Sequence, residues 1–233
     1  MRPVGILGGM GPEATILLQR KVLAAVPARD DADHVPLMID MNPQVPSRIA
    51  HLIEGTGESP APVLAAMAAR LEAMGATALA MPCNTAHHYA QAIRAAARIP
   101  FLDMVALSAA ACARAAPPDG RIGMLASPAV RRTGLFEPAL AAEGLRPVWP
   151  EDGDALLDSI RAIKAQGAGA SAAAAGLRAA SAALLGRGVA VQLVACTEFS
   201  LAVAHLPREA TALDTLDALT AAMVGHARGD ALP

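Results

Sequence analysis

The chain has 233 residues, 54% of them hydrophobic, 17% charged and only 2% aromatic, with a formal net charge of −2 at pH 7. That balance gives no electrostatic footprint for nucleic acid or an anionic membrane surface, and so few rings give no stacking platform for bases. The apolar content supplies a sizeable core instead, and the length fits one large domain or two lobes.

The opening MRPVGILGGMGPEAT has a short apolar stretch that glycines interrupt at once, too short for the hydrophobic segment of a signal peptide. No run of about 20 uncharged apolar residues follows; the alanine-rich Ala168–Leu185 carries Arg178. Three cysteines are an odd number for a disulfide framework and point to free thiols in a reducing compartment. The expectation is a soluble cytoplasmic protein.

In chain order, strands are predicted at Val4–Leu7, Leu37–Met41, Thr77–Met81, Arg121–Leu125, Pro147–Trp149 and Val189–Ala195. Helices are predicted at Glu13–Val26, Pro60–Met74, Thr85–Ala97, Val105–Ala115, Ala129–Ala142, Ala155–Gln166, Ala170–Leu185 and Asp214–Ala227. Pro27–Pro36 reads as an exposed loop, and Pro117–Asp119 as a turn near a lobe junction. Such alternation, with near-continuous apolar strands, predicts an α/β fold with mostly parallel sheets covered by helices on both faces. A faint internal repeat relates GILGGMGPEAT (Gly5–Thr15) to GMLASPAVRRT (Gly123–Thr133). Each opens a segment that closes on a strand ending in cysteine, LAMPCNTAH with Cys83 and QLVACTEFS with Cys196. Two similar lobes are therefore expected. The first would span 1–104, with a C-terminal helix in 209–233 packing back on it, and the second 105–208. Ligands bind outside the carboxyl ends of strands in such sheets, which would put one cysteine on each wall of a cleft.

Cys83 is followed by Asn84 and Thr85, and Cys196 by Thr197 and Glu198; each thiol thus stands where a strand passes into a helix start. Cys112 lies in the helical run ALSAAACARAA and reads as a core residue. The Gly8–Gly11 turn, which includes Met10, lets backbone approach a ligand closely. It lacks the G-x-G-x-x-G spacing of a dinucleotide site. Zinc held by Cys83, His87 and Cys196 has no C-x-x-C or second cluster to support it, and no metal is expected.

Taken together, GGMGPEAT (Gly8–Thr15), MNPQVPSR (Met41–Arg48), PCNTAH (Pro82–His87), IKAQG (Ile163–Gly167) and ACTE (Ala195–Glu198) resemble the aspartate/glutamate racemase superfamily, and within it the aspartate racemase branch. The resemblance covers nearly the whole chain. It implies two pseudo-symmetric, Rossmann-like lobes with the active site between them, no pyridoxal phosphate and no metal, and a homodimer. It also implies that Cys83 and Cys196 take and deliver the Cα proton on opposite faces of a small amino-acid substrate. Arg48 and Lys164 match the two basic positions suited to a second substrate carboxylate. Asn84, Thr85 and Thr197, with the Met10–Gly11 turn, would hold the α-carboxylate. Glu198 would help to set the protonation of Cys196, and His87 would support Cys83, while His88 reads as a surface residue. Ala195 departs from the glycine of many relatives without removing a catalytic group.

Aspartate racemisation is the leading expectation. A broad-specificity racemase that includes glutamate, or a maleate-isomerase-like enzyme, would use the same paired positions. A two-lobed amino-acid-binding protein or a thiol redox sensor is the non-enzymatic alternative, and the second would need sulfurs close enough to bond.

Overall fold

A computed structural model describes residues 1–115, 119–166 and 171–230, with backbone only for 171–173. Pro117 and Pro118 of the expected junction turn lie outside the described residues, as do Gly167 of the IKAQG motif and Ala168–Ala170. Two compact units emerge, one of Met1–Leu107 with the segment from Leu216 onward, the other of Ser108–Thr215.

In the first unit β1 (Val4–Gly8), β2 (Leu37–Met41) and β3 (Ala78–Ala80) form a parallel sheet of order β2-β1-β3. Its helices are α1 (Pro12–Ala24), α2 (Ala61–Ala73), α3 (Ala90–Ala96) and the start of α4 (Met104–Ala115). All of β1 is buried, because a central parallel strand is covered on both faces. Val4 and Ile6 pack with Leu18 and Val22 of α1 on one side, whereas Leu7 packs with Leu64, Met67 and Leu71 of α2 on the other. That split is the period of two that a strand imposes on its side chains.

The second unit contains β4 (Arg121–Ala126), α5 (Pro128–Thr133), α6 (Glu137–Ala142), β5 (Arg146–Val148), α7 (Gly153–Gln166), α8 (Ser171–Gly186), β6 (Val191–Ala195), α9 (Thr197–Ser200) and β7 (Thr211–Asp214). Its sheet, also parallel, has the order β5-β4-β6-β7. The first three strands of each unit thus share one order, in which the second and third flank the first. Leu125, Ile160, Ile163, Leu177, Leu184, Val194 and Phe199 centre its core. The last helix, α10 (Thr215–Arg228), contributes Leu216, Leu219 and Met223 to the same apolar cluster as Val4 and Ile6.

Three local features depart from the sequence expectation. Thr211–Asp214, expected within the segment that packs on the first lobe, forms β7 beside β6 in the second sheet. The helix expected over Ala129–Ala142 is two, because Gly134 takes φ +61 after α5 and Phe136 is fully buried before α6. A helix with a positive-φ residue must stop there. The helix expected over Thr85–Ala97 begins as 3₁₀ turns at Thr85–Tyr89 before becoming α3.

Candidate active site

The loops that follow the strands carry the residues singled out in the sequence. After β1 the chain turns at Gly9, with φ +94, where a Cβ would come within 2.4 Å of the Asn42 carbonyl carbon. Only glycine fits both that conformation and that approach. The GGMGP turn therefore lies directly against the loop that follows β2. Thr15 fixes it from α1: its hydroxyl accepts the Gly9 N–H at 3.0 Å and donates to the Gly11 carbonyl at 3.1 Å. In the facing loop Asn42 Oδ1 accepts the Gln44 N–H at 3.0 Å. Arg48 then anchors one arm of its guanidinium, Nη1, on the carbonyls of Val45 (3.3 Å) and Pro46 (3.1 Å). Among the described residues no carboxylate pairs with Arg48.

Cys83 follows β3 and is buried, with Met10, Val45 and Tyr89 in the same apolar cluster. Its N–H donates to the Met81 carbonyl at 2.9 Å. Its own carbonyl takes a hydrogen bond from His87 Nδ1 at 2.8 Å, while the Met104 N–H donates to His87 Nε2 at 3.2 Å. The backbone donor at Nε2 fixes the proton on Nδ1, so the ring is neutral, and burial holds its pKa below 6.5. His87 is accordingly a clamp between the Cys83 turn and the start of α4, with no nitrogen left for base chemistry. Asn84 is buried, Thr85 half-buried and His88 exposed.

Cys196 follows β6 and is buried to the same degree as Cys83. Its thiol donates to Glu198 Oε2 at 3.1 Å, and Lys164 Nζ of α7 pairs with the other carboxylate oxygen, Oε1. Glu198 is itself buried, and a cation and a thiol share its carboxylate. Burial first, and then the Glu198 charge and its hold on the thiol proton, push the Cys196 pKa well above 9.0; Lys164 pulls the other way. At neutral pH this sulfur is a thiol. Thr197 is buried at the start of α9. Lys164, expected from the sequence to meet a substrate carboxylate, is engaged by a carboxylate of its own unit. Cys112 is fully buried, and burial pushes its thiol up to about 12.

Met10, Gly11, Arg48, Cys83, Asn84, Thr85 and His87 thus belong to the first unit, at or just beyond the carboxyl ends of β1, β2 and β3. Cys196, Thr197 and Glu198 follow β6 in the second unit, with Lys164 reaching them from α7. Sequence reasoning passed over Tyr89. It is the only tyrosine in the chain and directly follows PCNTAHH, but nothing in the sequence separates it from a core residue. Among the described residues no group of three or more His, Cys, Asp or Glu is arranged to hold a metal ion, and no helix is long and apolar enough to cross a membrane.

Residues 7–223 match the Asp/Glu/Hydantoin racemase family. Among solved structures, the aspartate racemase of Picrophilus torridus is 28% identical, with a TM-score of 0.86, over 100% of this chain and 96% of that one. An aspartate racemase homologue from Pyrococcus horikoshii OT3 is 18% identical, with a TM-score of 0.73, over 98% of this chain and 100% of that one. A glutamate racemase isoform from Bacillus anthracis shares the fold at 16% identity and a TM-score of 0.64, over 98% of this chain and 83% of that one. The matched region takes in both cysteine turns, and the chain belongs to the Asp/Glu/Hydantoin racemase family.

Proposed function

We propose that the protein interconverts L- and D-aspartate without pyridoxal phosphate or a metal, using Cys83 and Cys196 on opposite faces of the substrate Cα. One observation carries this reading: a buried strand-end thiol, Cys196, donates its proton to Glu198, whereas among the described residues no acid takes a hydrogen bond from a second strand-end sulfur, Cys83. Inversion at carbon needs such a pair, a base on one face and a loaded acid on the other. Family membership makes the chain an amino-acid racemase. The likeness to the aspartate racemase of Picrophilus torridus supports aspartate as the substrate.

In one direction the Cys83 thiolate takes the Cα proton and becomes a thiol. The electron pair left on Cα spreads into the α-carboxylate as an enediolate. Asn84, Thr85 and Thr197 stabilise it through donors aimed at the growing charge. Cys196 then passes its proton to the opposite face and is left as a thiolate. Lys164 lowers the cost of that thiolate, since its charge already opposes that of Glu198. The reverse reaction runs the same steps backwards, with the sulfurs exchanging roles. The reading also carries a cytoplasmic location and a homodimer, tested by cell fractionation and by sedimentation.

The test is proton NMR of the purified protein with L-aspartate, and separately D-aspartate, in D₂O without added cofactor. Loss of the Cα–H signal with appearance of the opposite enantiomer is the expected result. Exchange with glutamate but not aspartate would keep the mechanism and change the substrate. No exchange with any amino acid would overturn the reading.

A further inference from the structure

Tyr89 is buried in the apolar cluster that also holds Met10, Val45 and Cys83, and its hydroxyl has no hydrogen-bond partner among the described residues. A buried hydroxyl without a partner is costly, and phenylalanine would fill the same volume without that cost. The ring is held in place from two sides. His88 meets it edge-on at 5.0 Å, and His51 lies at 5.9 Å with its own Nδ1 on the Gly57 carbonyl at 2.9 Å. Arg48 rises from the loop that contains Val45, tied to the Val45 and Pro46 carbonyls, with no acid of the described residues as its partner. Its charge is felt at the phenol. A fixed cation and an orphaned hydroxyl in one unit, in the cluster of a reactive sulfur, make a place for an anion that the protein itself does not supply.

We propose that Tyr89 is a substrate-binding and specificity-determining residue, its hydroxyl donating to the distal carboxylate of a dicarboxylic substrate that Arg48 neutralises. This rests on the racemase reading for the identity of the substrate, while the subsite itself rests on the unpartnered Tyr89 hydroxyl and on Arg48, which is tied to the carbonyl of Val45 in the same apolar cluster. Burial raises the phenol pKa, so the hydroxyl remains a donor through the neutral range. The assignment also gives the first unit a complete carboxylate site of its own, whereas Lys164 in the second unit is committed to Glu198. The selectivity for a second carboxylate then comes from Arg48 and Tyr89, and Lys164 acts on Cys196 through Glu198.

The experiment compares the full-length wild type with Tyr89→Phe in two measurements. Calorimetric titration with succinate, a dicarboxylate without an amino group or a reactive Cα, reads the subsite independently of racemisation. Steady-state racemisation of aspartate reads it in turnover. Tyr89→Phe is expected to weaken succinate about tenfold and raise KM for aspartate about tenfold, with kcat within about twofold of wild type. Its thermal midpoint should not fall, because no partner of the hydroxyl is lost. An unchanged succinate affinity in Tyr89→Phe, or no binding of succinate to wild type, would overturn the proposal. Weakened succinate binding in a protein that racemises nothing would uphold the Tyr89 subsite and sink the racemase reading instead.

Discussion

The turns that carry Cys83 and Cys196 occupy matching positions in two sheets whose first three strands share one order, yet they differ in what touches the sulfur. Each follows the third strand of its unit, and each leaves its cysteine buried to the same extent. At Cys83 the supporting residue, His87, grips the backbone carbonyl and leaves the thiol alone. At Cys196 the supporting residue, Glu198, takes the thiol proton into a hydrogen bond and is itself held by Lys164. Duplicated topology thus supplies two equivalent stations, and a few side chains give their two sulfurs different partners. The proposed two-sulfur mechanism uses such a difference, since two thiolates or two thiols would leave one face of the substrate without its partner.

Removing either sulfur should have the largest effect. Cys83→Ala and Cys196→Ala are each expected to lower racemisation by about a thousandfold or more, measured as chiral turnover, because neither base can serve the other's face. Next is Glu198→Gln, which keeps the shape and removes the charge. The Cys196 pKa should fall toward the ordinary thiol range, read by ultraviolet thiolate absorbance and by faster alkylation at neutral pH, with turnover down about tenfold or more. Lys164→Met should shift the same titration the opposite way, since Lys164 pulls the Cys196 pKa down. Equal shifts in the two variants would break the proposed division of labour.

His87→Phe would remove the hydrogen bonds to the Cys83 carbonyl and from the Met104 N–H, costing about 1–3 kcal/mol of stability in all, measured by urea unfolding. Because burial holds the folded pKa of His87 below 6.5, the unfolded chain binds its proton first. Stability is therefore full above about pH 6.5 and falls as pH drops toward the folded pKa. The substitution should flatten that slope while the part due to His226, whose pKa is also lowered by burial, remains. The smallest effect is expected at the third thiol: Cys112→Ala should cost about 1 kcal/mol and leave turnover unchanged.

Much of the fold was legible because buried parallel strands write continuous apolar runs, as β1, β4 and β6 do. The strand β7 escaped because it is an edge strand, half-buried, with one flank paired to β6 and the short run TALD as its whole signal. The split between α5 and α6 falls at Gly134, which takes a left-handed conformation as the C-cap of α5, two residues before the fully buried Phe136. The cysteine contexts could be read directly, since a thiol at a strand-to-helix turn is a local pattern. The pairing of Lys164 with Glu198 could not, because it joins residues 34 positions apart and is set by how α7 packs beside α9. Tyr89 was hidden for a different reason. A tyrosine on a helical face reads as core, and only the lack of a partner for its hydroxyl in the folded chain sets it apart.

The most direct test of the two-sulfur account is Cα deuterium exchange by Cys83→Ala and Cys196→Ala, each offered L- and D-aspartate separately in D₂O. Each variant is predicted to exchange one enantiomer only, with retention of configuration, and the two variants to choose opposite enantiomers. A single-cysteine variant that still produced the opposite enantiomer at a rate near wild type would contradict the account.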